Sequence, residues 1–133
     1  MIVVDASVII EILTNSPLAE SLRRDLLMTG EKLAAPHLLD IEVVSALRGL
    51  SMASRIAAHD VAEYLRSLES LPIHRYTHTD LVRRIWELRH NFTAYDATYI
   101  ALAETLDATL YTTDAKLRKG HRARVVVKDR SIN

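Results

Sequence analysis

Four carboxylates in this chain fall where water and basic neighbours do not obviously serve them. Asp5 closes Ile2-Val3-Val4, an unbroken β-branched run of the kind that forms a strand buried on both faces. Asp114 closes a second run, Leu110-Tyr111-Thr112-Thr113. In a parallel sheet ligands bind beyond the carboxyl ends of the strands, so these two acids are expected on one rim. Glu42 sits in a nearly all-apolar helical segment, on the stripe of Leu38, Ser45, Ala46 and Gly49. Asp40 is about 200° further round, at about 100° per residue, and is expected to face solvent. Asp96 opens another helix and shares a stripe with Tyr99, Ile100 and Ala103. Buried unpaired carboxylates are strongly unfavourable, and several together are worse. The remedies are basic partners or a cation. No Lys or Arg lies inside the motifs of Asp5, Asp96 or Asp114, while Arg48 is a candidate near Glu42. All-oxygen donors favour Mg2+ or Mn2+ over Zn2+. Helix caps and ordinary ion pairs are the alternative. The acids outside this set fit solvated helix faces, helix ends and turns.

The elements that must position these residues alternate between strand and helix. After Asp5, Ser7 is placed to cap a helix from about Val8 to Leu13, and Ser16-Pro17 to start a second. The second carries Leu18, Leu22, Leu26 and Leu27 on one side and ends at Gly30. A strand over Lys32–Ala35 precedes a third helix over His37–Leu50, which is apolar nearly all round and is expected to be buried. A fourth helix runs from about Ala57 to Ser70, with Val61, Leu65 and Leu68 inward. A strand follows over Pro72–Tyr76. Thr77-His78-Thr79-Asp80 has a capping-box pattern before a helix reaching about His90. The helix of Asp96 covers Ala94–Leu106, and strands follow over Thr109–Thr112 and Arg124–Val127, with a short basic helix between them. This order implies a three-layer α/β/α domain with a central, mainly parallel sheet.

The 133 residues correspond to one ordinary domain, read as 1–133. Hydrophobic residues make up 49% of the chain, enough for a real core, and Gly and Pro number only three each. Those counts exclude collagen-like and linker-rich readings. The absence of cysteine removes disulfides, Cys-based zinc sites and thiol catalysis, and fits a cytoplasmic location. No signal peptide is visible, and no apolar run approaches the roughly 18 residues of a membrane span. The formal net charge is zero, so nucleic acid could be held only by a local patch, not by bulk attraction.

Val3-Val4-Asp5-Ala6-Ser7, the Glu42 helix, Thr93-Ala94-Tyr95-Asp96-Ala97 and Leu110-Tyr111-Thr112-Thr113-Asp114 fall in the order of a PIN domain. Trp86-Glu87-Leu88-Arg89, leading into Tyr95-Asp96-Ala97 and Ala101-Leu102-Ala103-Glu104, resembles the VapC toxins of bacterial toxin–antitoxin pairs. The likeness spans essentially the whole chain and rests on four acids in the right order rather than on any one motif. It implies a metal-dependent endoribonuclease with Asp5, Glu42, Asp96 and Asp114 as its acidic constellation. Mg2+ or Mn2+ would be held directly or through water, with Asp5, Asp96 and Asp114 as its ligands, leaving 5′-phosphate and 3′-hydroxyl ends. Thr112 falls on the family's hydroxyl position and would hold the Asp5 or Asp114 carboxylate. Ser7 would support the same site or simply cap its helix. The resemblance further implies a cognate VapB-like antitoxin, seated in a groove between the early helices and the fourth, and a homodimer.

Lys116, Arg118 and Lys119, with His121, Arg122 and Arg124 beyond them, follow Asp114 and are candidates for RNA phosphates. A solvated basic face explains them as well, and Arg48 has the same two readings. Tyr95 and Tyr99 flank Asp96 and are expected to pack in the core. The histidines show no metal-binding spacing. A catalytically silent PIN-like scaffold that only binds a partner is the rival reading, and the four retained acids weigh against it. A receiver-type phosphoacceptor would need a Lys at a later strand end, and a Rossmann-type nucleotide binder a Gly-rich turn; the chain has neither.

Overall fold

The computed structural model describes residues 1–129; positions 130–133, counted in the single-domain expectation, lie outside the described residues. Met1 leads directly into β1 (Ile2–Val4), whose three side chains are all buried. The other strands are β2 (Leu33–Pro36), β3 (Ile73–Tyr76), β4 (Thr109–Thr112) and β5 (Arg124–Val127). They form one sheet in the order β3-β2-β1-β4-β5, and every pairing is parallel. β1 is its central strand, which explains why Ile2-Val3-Val4 has no polar face.

Helices α1 (Ala6–Leu13), α2 (Ala19–Leu27), α3 (Leu38–Met52) and α4 (Val61–Ser70) connect the strands on the way from β1 out to β3. The chain then crosses back through α5 (Val82–Glu87) and α6 (Ala94–Leu106) to β4. Right-handed crossovers place the first four helices on one face and α5 and α6 on the other. The packing agrees: α1 touches α2, α3 and α4, while α6 packs on α5 and on β1, β2 and β4. The strand order reverses between β1 and β4, so the ends of these two strands border a topological switch point, where α/β sheets bind ligands.

Both faces of the sheet are covered by aliphatic side chains. Val8, Ile9, Leu22, Leu39 and Leu47 on one face and Ala97, Ile100 and Ala101 on the other are almost free of solvent. The bounds of α6, β4 and β5 coincide with those expected from the sequence. Several local expectations do not hold. Ser7 does not cap α1; Asp5 does, and the helix starts at Ala6. The Thr77–Asp80 pattern gives no side-chain cap but a threonine turn, in which the Thr79 N–H donates to Thr77 Oγ1 at 3.3 Å, then a 3₁₀ turn. Helix α4 starts at Val61, after a separate 3₁₀ turn over Ala58–Asp60. Leu27 is exposed, off the stripe of Leu18, Leu22 and Leu26.

The largest correction concerns α3. Its apolar residues are not buried all round: only Leu39, Val43 and Leu47 are. Ile41 is 68% exposed, and Val44 and Met52 are exposed too. One stripe packs on the sheet, a second, with Glu42, Ser45, Ala46 and Gly49, lines a cleft, and a third faces outward.

Candidate active site

Asp5 follows β1 and is 7% exposed. Its extended backbone makes it the N-cap of α1, where Oδ1 accepts the Val8 N–H at 3.3 Å. The same oxygen accepts the Ser7 hydroxyl at 2.5 Å. Ser7 in turn accepts the Thr113 N–H at 3.0 Å, tying the end of β1 to the end of β4. Burial pushes the Asp5 carboxyl up, against the hydroxyls of Ser7 and Thr112 and the N–H groups of Val8 and Ser7, which favour its charge. Thr112 is fully buried, and its Oγ1 also accepts the Asp114 N–H at 3.0 Å. One threonine therefore touches the settings of both strand-end acids.

Asp114 is held by the turn that follows it, with Oδ1 accepting the Lys116 N–H at 2.9 Å. Asp96 enters from the opposite side of the switch point. Thr93 caps α6 through the Asp96 N–H at 3.1 Å, which fixes where the helix begins and where the carboxyl projects. Burial first, then the charge of Asp114, raise the Asp96 pKa; Lys116 and the Thr93 hydroxyl act the other way. Asp96, Asp114 and Lys116 are therefore electrostatic neighbours.

Tyr99 stands one turn along α6 from Asp96, on the same helix face. Its ring belongs to the core and the residue is only 1% exposed. Burial pushes its hydroxyl far above the usual tyrosine range, and Glu42, Asp5 and Asp96 push it further, in that order. Three of the four acids thus act electrostatically on one phenol, and Asp96 in turn feels Asp114. Yet the Tyr99 hydroxyl makes no hydrogen bond within normal geometry; of the described residues, it is the one such buried side-chain group. Buried polar atoms without partners are rare, and a site that binds something is one reason to keep one.

The donor set consists of hard oxygens and suits Mg2+ or Mn2+ better than a softer ion. The orphaned Tyr99 hydroxyl, aimed among the acids, fits a hydrated cation at this place. Among the described residues, however, no three His, Cys, Asp or Glu side chains form a ready-made cage. Asp5 and Asp114 each turn an oxygen onto helix or turn N–H groups.

Glu42 opens onto a cleft of ≈ 700 Å³ between α1 and α3, which also meets Ser7, Ser45, Ala46 and Thr113. Arg55 lines it as well and was not singled out from the sequence. The nearby Ser54, at φ 55°, turns the chain back after α3 and brings Arg55 there; a Ser in a left-handed turn leaves little sequence signal. Arg48 is exposed on α3. Lys116, Arg118 and Lys119 are exposed just past Asp114, near the acids. Arg122 and Arg124 lie elsewhere. Arg124 pairs with Asp107 at 3.1 Å beside the start of β4, at the opposite end of the sheet. Arg122 lies with Glu104, where its N–H donates at 2.7 Å. Tyr95 is not in the core as expected; it is 60% exposed at the start of α6. Asp40 forms a forked pair with Arg75, at 2.7 and 3.1 Å, away from the acids.

A five-stranded parallel sheet with acids at its switch point defines a class, and the comparisons with known proteins agree. A family model described as PIN domain matches residues 2–122. Ribonuclease VapC9 of Mycobacterium tuberculosis is 43% identical over 117 residues, covering 88% of each chain. Ribonuclease VapC1 of the same species is 40% identical over 116 residues, covering 86% of each. Among solved structures, PAE2754 from Pyrobaculum aerophilum has a TM-score of 0.70 at 26% identity, covering 92% of this chain and 87% of that one. Mycobacterium tuberculosis VapC20 shares the fold at a TM-score of 0.67 and 17% identity, covering 88% of this chain and 92% of its own. The chain belongs to the PIN-domain family and, within it, to the VapC ribonucleases.

Proposed function

We propose that this chain is the toxin of a type II toxin–antitoxin pair, a Mg2+- or Mn2+-dependent endoribonuclease in the cytoplasm whose catalytic residues are Asp5, Glu42, Asp96 and Asp114. What supports this reading is that Asp5 and Asp114 follow the adjacent strands β1 and β4 at the switch point, that Asp5, Glu42 and Asp96 all act on Tyr99, and that Asp114 acts on Asp96. Asp5, Asp96 and Asp114 would hold the cation and Glu42 would act beside it. A cation there supplies charge neutralisation at the phosphoryl oxygens and a water poised for in-line attack. Ser7 and Thr112 would aim the Asp5 carboxylate and favour its charged form against the effect of burial. Lys116, Arg118 and Lys119 on one side and Arg48 on the other give positive charge for the RNA backbone.

The cleft between α1 and α3 continues into a second, of ≈ 570 Å³, that reaches Tyr64 of α4; the two share Ile10, Glu11, Leu50 and Arg55. This is the groove we assign to a VapB-like antitoxin. A homodimer face is supported by Ile41 and Val44 of α3, Val82 and Trp86 of α5 and Tyr95 of α6, all large, apolar and exposed. Ile41 and Tyr95 line one apolar hollow with Ile85, and exposed apolar surface marks interaction sites. Among the described residues no helix is long and apolar enough to cross a membrane.

Purified wild type, Asp5→Asn and Asp96→Asn are to be compared on total cellular RNA with Mg2+ present. Cleavage by the wild type to 5′-phosphate ends, and a loss of at least about a hundredfold in both folded variants, is expected. Variants that fold and still cleave at the wild-type rate would refute the assignment.

A further inference from the structure

Asp5, Asp96 and Asp114 each have a partner in the fold: Asp5 has Ser7 and the Val8 N–H, Asp96 has the Thr93 hydroxyl, and Asp114 has the Lys116 N–H. Glu42 reaches the group from a different helix, with one side on the open cleft. The Tyr99 hydroxyl is buried, carries a proton and makes no hydrogen bond, and Glu42 is the charge that weighs most on it. We propose that Tyr99 is the positioning residue for Glu42: its hydroxyl, unpaired in the metal-free fold, donates to the Glu42 carboxylate when a cation is bound and holds it turned from the cleft toward Asp5 and Asp96. This role rests on the ribonuclease reading above and extends it.

The geometry gives the phenol the right properties. Its ring is buried in the core on α6, the helix that packs on β1, β2 and β4, so the hydroxyl has little freedom to move. It stands one turn from Asp96 on the same helix, so Glu42 is drawn toward an acid with which it shares no element. A neutral donor can sit among carboxylates without the tight ion pair that a Lys or Arg would impose, and without competing for a cation. The unmade bond also explains how an orphaned polar atom is tolerated: it is a donor waiting for a movable acceptor, and Glu is long enough to supply one.

The test is Tyr99→Phe, alone and on a Glu42→Ala background, in the full chain. Three quantities are read: metal-free melting temperature, Mn2+ affinity by calorimetry, and kcat and KM on RNA. Tyr99→Phe removes an unpaired hydroxyl and nothing else, so the metal-free melting temperature should be unchanged or higher. Mn2+ affinity and kcat should each fall about 10- to 100-fold with KM for RNA unchanged. On the Glu42→Ala background, where cleavage is already lost, the same substitution should change neither the metal-free melting temperature nor the Mn2+ affinity. Wild-type affinity and kcat in Tyr99→Phe would overturn the role of Tyr99 and leave the ribonuclease reading intact. An equal loss on the Glu42→Ala background would show that Tyr99 does not act through Glu42. A lowered metal-free melting temperature would assign it to packing instead. A wild type that neither binds Mn2+ nor cleaves RNA would overturn both the reading and the role.

Discussion

Asp5 and Glu104 are both acids with almost buried side chains, and their surroundings differ in kind. Asp5 has hydroxyl and N–H donors but, among the described residues, no cationic partner, and burial leaves its pKa raised. Glu104, 6% exposed at its side chain, meets Arg84 in a fork at 2.7 and 3.0 Å and the Arg122 N–H at 2.7 Å. Burial alone would raise its pKa, but these partners outweigh it and hold the carboxyl below the usual range. The first environment leaves the carboxyl without a counter-charge among the described residues; the second supplies one and joins α5, α6 and the approach to β5. The sign of the linkage follows. A depressed pKa means that the folded chain binds fewer protons than the unfolded chain, so this stabilisation is present above the ordinary glutamate value and is lost as pH falls through the folded one. Glu104→Gln should therefore cost about 1.5–3 kcal/mol at neutral pH in urea melts. The gap to wild type should close as the melts are repeated through and below about pH 4. A gap that does not change with pH would show that the charge of Glu104 is not what stabilises this junction.

At the scale of elements, legibility in the sequence followed local chemistry. Helix α6 was readable to the residue because Thr93 caps one end and Asp107, at φ 50°, ends the other. β1 was readable because a strand buried on both faces needs an unbroken apolar run, and β4 and β5 because β-branched and aromatic residues favour strands. The acids were legible because each stood at a strand end or on a stripe that had to turn inward. What failed depended on tertiary partners. Nothing in the composition of α3 distinguishes the stripe of Leu39, Val43 and Leu47, which meets the sheet, from Ile41 and Val44, which do not. Ser7 and Asp5 are both good caps, and the choice between them was made by the need of the buried Asp5 for the Ser7 hydroxyl. The basic residues after Asp114 read as one cluster, yet the parallel register of β5 on β4 sends Arg124 to the far end of the sheet. Tyr99 read as a core aromatic, and its ring is one. Its hydroxyl gains meaning only when Glu42 arrives from another helix.

Across the whole molecule, net charge is zero and the functional surfaces are local. Asp96, Asp114 and Lys116 share the switch point, the cleft runs from Glu42 toward α4, and Ile41 of α3, Ile85 of α5 and Tyr95 of α6 line an apolar hollow on a separate face. If that face joins two copies, Ile41→Asp should turn the dimer into a monomer by light scattering while the fold is kept; an unchanged mass would reject the face. The central claim is that the four acids serve a hard cation in cutting RNA, and removal of metal tests it most directly. The wild-type chain is stripped with EDTA, and RNA cleavage is followed as Mg2+ or Mn2+ is added back. No cleavage is expected in EDTA, and recovery should rise and saturate with either ion. Undiminished cleavage in EDTA would contradict the claim.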